Sequence, residues 1–525
     1  MGNGGYFCGF VPVNKSKKGI FSIIRKIIQL MHHLYDVSFF ARFISFHGRN
    51  CIIEVMAKSV DLAGKLQRNE EIPFKERLNI VYRLSLPGIL AQIAEIIMQY
   101  IDAAMVGVLG AAASASIGLV ASATWLFGGL ISGAVNGFSV QVAQAIGAGD
   151  YERSGKLYKQ SIIACLCVAV ITGGIGVALS LVLPKWLGAE QSLWHNATMY
   201  FMLFALFVPV RCMQSLGVAV LQCVGNMKVP SVLTAMMCGL DVIFNFFLIF
   251  PTRTVSFMGI SMMMPGAGLG VAGAQLGTSL SFLVCMILLH TYIQLHEERL
   301  SIFHSKGRWI PEAHIVKDAV KIGLPMALEH SATSGAQIVS TRIVAPLGTI
   351  AIAANSFAVT AESICYMPGF GIANAATTMV GQAIGAKRKD LAKSFAWLTT
   401  FSGMVIMGIT GMIMFFACPY VFRFLTPDVD VQQLGESVLR IELMAEPLFA
   451  ASIVASGALR GAKDTLVPGV INLVSMWGIR LTLAMLLVNH IGLYGVWVAM
   501  ATELSARGIL FLIRLKREKW LENAI

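Results

Sequence analysis

Five acidic residues of this chain stand in apolar surroundings where acids are costly. Asp102 sits in QYIDAAMVG, Asp241 in GLDVIFNFFLIF, Glu329 in LPMALEHSATSG, Glu362 in VTAESICYMPGF and Glu446 in LMAEPLFAAS. An ionised carboxylate at the centre of an apolar span costs about 2.5–3.5 kcal/mol on insertion scales, so each needs a task that repays it. Asp102 follows Pro87 by about 22 Å of helix at 1.5 Å per residue, with no basic partner in its neighbourhood. A carboxyl so placed can take up and release a proton, or ligate sodium. Otherwise it is a solvated acid at a helix end. Asp241 and Asn245 share one face of a helix at four-residue spacing. They can form a polar cluster with Asp102, which Gln275 and Thr278 can complete; the alternative is a polar patch between two helices. Glu329, Glu362 and Glu446 are candidates to line a substrate cavity. Glu446 precedes Pro447 and can equally cap a helix broken by that proline. Four basic residues, Arg211, Arg342, Arg480 and Arg507, also fall in apolar segments. They are expected to pair with the buried acids or to snorkel to the interface. Several of them on one seam would favour an anionic substrate.

The elements that must hold these groups are membrane helices. Hydrophobic residues make up 56% of the 525 and charged residues 13%, against about 45–50% and about 25% in soluble chains. SIIACLCVAVITGGIGVALSLVL, residues 161–183, carries no charge, and about 20 apolar residues span a bilayer core. Apolar segments predict helices near 82–109, 113–146, 157–183, 196–224, 229–250 and 267–294. Six more follow near 318–347, 350–384, 394–418, 437–459, 466–488 and 492–514. Alternate connections are basic: Arg153, Lys156 and Lys159; Lys228; Arg299, Lys306, Arg308 and Lys317; Lys387 to Lys393; Arg460 and Lys463. The opposite connections offer Lys185, Arg253 and Arg423. That asymmetry predicts twelve crossings with both termini cytoplasmic. It also assigns the net charge of +12 to membrane topology, not to nucleic-acid binding. The ten cysteines show no C-x-x-C pair and read as small core residues. Residues 1–78 form a basic N-terminal extension, part apolar, suited to lying on a membrane surface. They lack a signal-peptide pattern, and Met56 is an alternative start.

The chain is written twice. QAIGA occurs at 144–148 and at 382–386, and the same offset of 238 relates Leu86-Pro87 to Leu324-Pro325, Leu109-Gly110 to Leu347-Gly348, Pro209 to Pro447 and Pro230 to Pro468. The register breaks at PTRTVSFMGISMMMPGAG (251–268), after which Gly270-Val271 matches Gly495-Val496 at an offset of 225. The fold class expected is an all-α membrane protein: twelve helices in two six-helix bundles related by a pseudo-twofold axis. The N-terminal bundle spans 79–295 and the C-terminal bundle 318–516, with a linker at 296–317 and a tail at 517–525. Six is even, so the halves run parallel, and substrate is expected at the midplane between them. Pro87 and Pro325 fall inside helices and are candidate bends. QAIGA itself is read as architectural, a tight helix end.

LPGILAQIAEIIMQYIDAAMVGVLG (86–110), VAQAIGAGD (142–150), VGQAIGA (380–386), EPLFAASIVASGALRGAKDT (446–465) and MWGIRLTLAMLL (476–487) carry a resemblance to the multidrug and toxic compound extrusion (MATE) transporters, over roughly 75–516. The resemblance implies export of cationic, amphipathic compounds in exchange for protons or sodium ions. It implies an ion-coupling role for the acid at Asp102. Similar transporters place Asn four residues before an Asp or Asn on the fifth helix, whereas here Asp241 precedes Asn245. Some members use a seventh-helix glutamate further along than Glu329. Glu446-Pro447 and Arg480 fit family patterns. No phosphate-binding loop, H-E-x-x-H or G-x-S-x-G occurs, so no enzyme chemistry is expected. The expected function is secondary active antiport by alternating access, with no cofactor beyond the coupling ion, H+ or Na+. The expected partners are a small organic cation and membrane lipid, with a monomer in the plasma (inner) membrane. The alternatives are a flippase for lipid-linked oligosaccharide and, further off, a membrane-embedded lipid enzyme.

Overall fold

The computed structural model describes residues 61–188, 190–257, 260–300 and 309–522. Of the expected N-terminal extension, residues 1–60 therefore lie outside the described residues, as do 301–308 of the linker.

Asp61 caps a short helix, α1 (Leu62–Gln67), accepting the amide of Gly64 at 3.1 Å. Three long helices follow: α2 (Phe74–Gly107), α3 (Ala111–Gly147) and α4 (Tyr151–Ser180). A short α5 (Leu183–Trp186) leads to α6 (Gln191–Leu206), α7 (Val208–Cys223) and α8 (Lys228–Ile249). After a hairpin of β1 (Pro251–Phe257) and β2 (Ile260–Ala267), α9 (Gly270–His296) completes the first half. The second half opens with α10 (Ala313–Val344), α11 (Thr349–Gly385) and α12 (Lys389–Leu425). Then come α13 (Val429–Leu443), α14 (Glu446–Gly461) and α15 (Leu466–Val474), the last running through a π turn (Ser475–Arg480) into α16 (Leu481–Ile491). The chain ends in α17 (Leu493–Lys516) and α18 (Lys519–Glu522).

These helices make twelve rods. Among the described residues nine are long and apolar enough to cross a membrane, and the α6–α7 pair, bent by 48°, makes a tenth. α10 and the α13–α14 pair complete the set. They carry more charge, with Lys317, Asp318, Lys321 and Glu329 on one and Glu436, Arg440, Glu442 and Glu446 on the other.

Proline sets two breaks in the helices. The single helices expected at 196–224 and 437–459 are each two. Pro209 and Pro447, mates under the repeat, stand in the first turns of α7 and α14. A proline is tolerated there and not in a helix interior, so the chain restarts. Pro87 and Pro325 lie inside helices that run on without a break. The carbonyl that Pro325 leaves without its usual partner, that of Lys321, is met by Thr465 Oγ1 at 3.4 Å, and Ser231 Oγ donates to Pro87 O at 2.6 Å. The all-α expectation also needs one amendment. The unmatched insertion is an antiparallel hairpin, pairing Thr254 with Met263 and Val255 with Met262, from a stretch whose Thr, Val and Phe suit extended backbone.

Large apolar side chains face outward as well as inward. Phe416, Tyr420 and Phe424 form a stripe along α12 and are 71%, 73% and 90% exposed, which suits lipid and not water. Inside, Phe127 meets Phe201 edge-on at 5.6 Å in the first half, while Trp497, Leu439 and Phe422 anchor the second. A third cluster joins the halves, with Leu62, Ile80 and Leu84 against Ile384, Leu391 and Phe395. At this end the two QAIGA segments cross. A Cβ on Gly147 would stand 2.0 Å from the Gln382 carbonyl oxygen, and one on Gly385 1.9 Å from that of Gln144. Only glycine permits this approach on either side.

Candidate functional site

Asp102 from α2 and Asp241 and Asn245 from α8 meet. The Asn245 amide donates to Asp102 Oδ1 at 2.8 Å and to Asp241 Oδ2 at 3.1 Å. Asp241 and Asn245 are wholly buried. Their four-residue spacing puts both on one face, and α9 closes that face because it offers glycine. A Cβ on Gly277 would fall 2.2 Å from Asn245 Oδ1. Thr278 stands within side-chain hydrogen-bonding reach of Asp241, as does Asp102. Thr278 Oγ1 also lies 3.0 Å from Ala274 O on its own helix, to which it can donate. Among the described residues, Asp241 Oδ1 and Asn245 Oδ1 have no hydrogen-bond partner. Buried oxygens without a donor are costly. A proton or a bare cation among the oxygens of Asp102, Asp241, Asn245 and Thr278 supplies what they lack. Gln275 is not part of this contact set: its amide donates to Ser279 Oγ on its own helix at 3.1 Å.

The acids of the second half divide. Glu329 pairs with Asn472 of α15, whose amide donates to its Oε1 at 2.5 Å. Glu362 and Glu446 stand elsewhere, in a buried charge cluster with Glu442, Glu503, Arg480 and Arg507. Arg507 Nε lies 3.1 Å from Glu503 Oε1. Among the described residues, both carboxylate oxygens of Glu442 and of Glu446 lack hydrogen-bond partners. Arg342 is exposed at the end of α10, so of the four arginines it is the one suited to an interface.

Sequence reasoning missed Glu442, Glu503 and Glu95. Two had a signal. Glu442 precedes Glu446, and Glu503 precedes Arg507, by one helical turn. Glu95 lies about two turns before Asp102 on α2 and lines a cavity of about 380 Å³ walled mainly by the first half. Neither Glu329, Glu362 nor Glu446 lines that cavity. Cys238 of α8 lies within electrostatic range of Glu95, Asp241 and Asp102, so cavity and acid cluster are neighbours.

Comparison with known proteins agrees with this architecture. The MatE family model matches residues 87–247 and again 325–486, more than half of the chain in two copies. The chain is 25% identical over 461 residues to the probable multidrug resistance protein NorM of Thermotoga maritima, covering 87% of this chain and 95% of that protein. It is 24% identical over 445 residues to the NorM of Streptococcus pneumoniae, covering 84% and 95%. Two solved structures share the fold at low identity. A MOP superfamily transporter from Pyrococcus furiosus has a TM-score of 0.77 at 19% identity, covering 88% of this chain and 98% of that one. A variant of the Vibrio cholerae MATE transporter VcmN has 0.76 at 16%, covering 87% and 97%. These likenesses favour neither the flippase nor the lipid enzyme. The paired family matches, the twelve rods and the buried acids together place the chain in the MATE family of multi-pass membrane multidrug efflux transporters.

Proposed function

We propose that the chain is an antiporter: it exports cationic or amphipathic organic compounds in exchange for protons or sodium ions, with the exchange made at Asp102, Asp241, Asn245 and Thr278. The observation that carries this is the single Asn245 amide bridging two carboxylates from different helices. Two acids held so close in an apolar span need a positive partner. An ion that binds there changes the pull between α2 and α8. A ligand shifts an equilibrium between two states only by its difference in affinity for them, and a site built from two helices has such a difference when the helices separate. Glu362 and Glu446, with Glu442, are buried acids of the other half and are the second place where a cationic group could be balanced. Glu329, held by Asn472, is a third acid on the seventh rod.

The QAIGA end is the cytoplasmic one on this reading. Arg153, Lys156 and Lys159 follow the first copy and Lys387 to Lys393 the second, in accord with basic residues on that side. The termini then lie in the cytoplasm, the membrane is the plasma membrane, and the working unit is a monomer. The test is efflux of a cationic dye from loaded vesicles under imposed proton or sodium gradients. Wild type is expected to follow one gradient, and Asp102→Asn to lose that dependence. Export that survives the substitution and ignores both gradients overturns the assignment.

A further inference from the structure

The cavity of about 380 Å³ is lined by α2, α3, α7, α8 and α9, with Asn374 of α11 from the second half, and holds two charges of opposite sign, Glu95 and Arg211. Gln92, Asn136, Gln214 and Gln222 add amides to the wall. Its size is at the small end of ligand pockets, which run from about 300 to about 1,000 Å³. Among the described residues neither charged side chain makes a hydrogen bond or an ion pair, and neither reaches the other for one. Arg211 is nevertheless fixed. Its guanidinium lies over the ring of Phe282 at 4.3 Å and over that of Phe204 at 5.4 Å. Ring faces hold the plane and leave the five N–H donors at its edge unused. A guanidinium so held is organised in advance for a carboxylate, sulfonate or phosphate group.

The repeat shows what has been left out. Arg211 and Phe449 are mates at the offset of 238, and Phe282 and Arg507 are mates at 225. The second half therefore keeps the same pair with the partners exchanged: the Arg507 guanidinium lies 5.4 Å over Phe449. There Glu503, one turn earlier on the same helix, neutralises it at 3.1 Å. The mate of Glu503 in the first half is Thr278, not an acid. The first half thus keeps an arginine against a ring and lacks the carboxylate that would cancel it. The acid that acts on it electrostatically is Glu95 of α2, which lines the same cavity without forming an ion pair with it.

We propose that this cavity takes a zwitterion, a small cargo whose anionic group lies on Arg211 and whose cationic group lies on Glu95. The two protein charges feel each other but form no ion pair, and a molecule carrying both signs gives each a direct partner. An organic cation alone meets Glu95 but leaves Arg211 unpaired and repels it; an anion alone does the converse. The role as cargo rests on the transport reading above, whereas the binding needs no ion gradient.

Two fluorescent probes on one ring system test this: 6-methoxy-N-(3-sulfopropyl)quinolinium, a zwitterion, and N-ethyl-6-methoxyquinolinium, a cation. Each is equilibrated by dialysis against the purified full chain in detergent, without a gradient and without chloride. The zwitterion is expected to bind at least about tenfold more tightly than the cation. Arg211→Gln is expected to abolish that preference, Arg211→Lys to retain part of it, and Glu95→Gln to weaken both probes. A wild-type chain that binds the cation as tightly as the zwitterion overturns the proposal. So does an Arg211→Gln protein with the preference intact. Should Arg211→Gln fail to fold, the wild-type ratio and Arg211→Lys still decide. A wrong coupling assignment would appear in the gradient assay and leave the dialysis ratio unchanged.

Discussion

Gln382 donates from its Nε2 to the carbonyl oxygen of Cys223 at 2.7 Å, and the bond has a pseudo-twofold mate. Gln144 donates to the carbonyl of Gly461 at 3.1 Å. Cys223 and Gly461 end α7 and α14. Each QAIGA glutamine therefore caps a helix C-terminus in the opposite half, where carbonyls have no partner within their own helix. Two such bonds at about 1 kcal/mol each bias the joined arrangement by roughly thirtyfold. The double variant Gln144→Leu, Gln382→Leu should loosen this end. Cys223 is 3% exposed, and its maleimide labelling, read on its own peptide, should quicken in the double variant and less in each single one. Unchanged labelling would show that the contacts do not hold the halves together.

Asn245 depends on a neighbour with no side chain. Gly277→Ala should push the Asn245 amide away from both acids, because the new methyl would occupy the place of Oδ1. Gradient-driven exchange is expected to fall at least about tenfold, as it should for Asn245→Ala, since a misplaced catalytic or coupling group costs orders of magnitude. Wild-type exchange by Gly277→Ala would rule out the bridged geometry as the working one.

The Arg507–Glu503 pair is buried, with Glu503 fully enclosed. Removing one partner of a buried pair typically costs about 3–5 kcal/mol, and removing both costs less. Arg507→Met is expected to lower the thermal midpoint in detergent sharply, and Arg507→Met with Glu503→Gln to recover much of the loss. Equal losses in the single and double variants would mean that Glu503 is not held by Arg507.

Outside the membrane, Glu312 precedes the first residue of α10 and ties that helix to α4: Lys156 reaches its carboxylate, and Gln160 Oε1 accepts its backbone amide at 3.0 Å. The hydrogen bond from Lys156 holds the Glu312 carboxyl below its ordinary value of 4.5. A depressed acid stabilises the fold above its unfolded value and loses that contribution as pH falls through the folded one. Glu312→Gln should therefore lower the thermal midpoint slightly at pH 7, and the difference should shrink as pH falls below the ordinary value of 4.5 and in high salt. A difference that persists in acid would point to packing, not charge.

The twelve rods, their duplication and the acids worth watching were legible in the chain itself. Apolar run lengths and a fixed offset are local quantities, and a charge in such a run stands out wherever it points. The breaks at Pro209 and Pro447 were partly legible, since both prolines were in view as repeat markers and their positions just inside a helix start were not. Rotation and partnership were not legible. A helix apolar on every side gives no pattern to say which face looks inward, because lipid and protein core are equally apolar. That Asn245 bridges Asp102 across 143 residues, that Glu362 and Glu446 share a cluster while Glu329 turns to Asn472, and that Glu95 and Arg211 line one cavity were decided by how the rods pack. Sequence set what each rod carries; close contact at residues such as Gly277 and Gly385 set which side of it meets which neighbour.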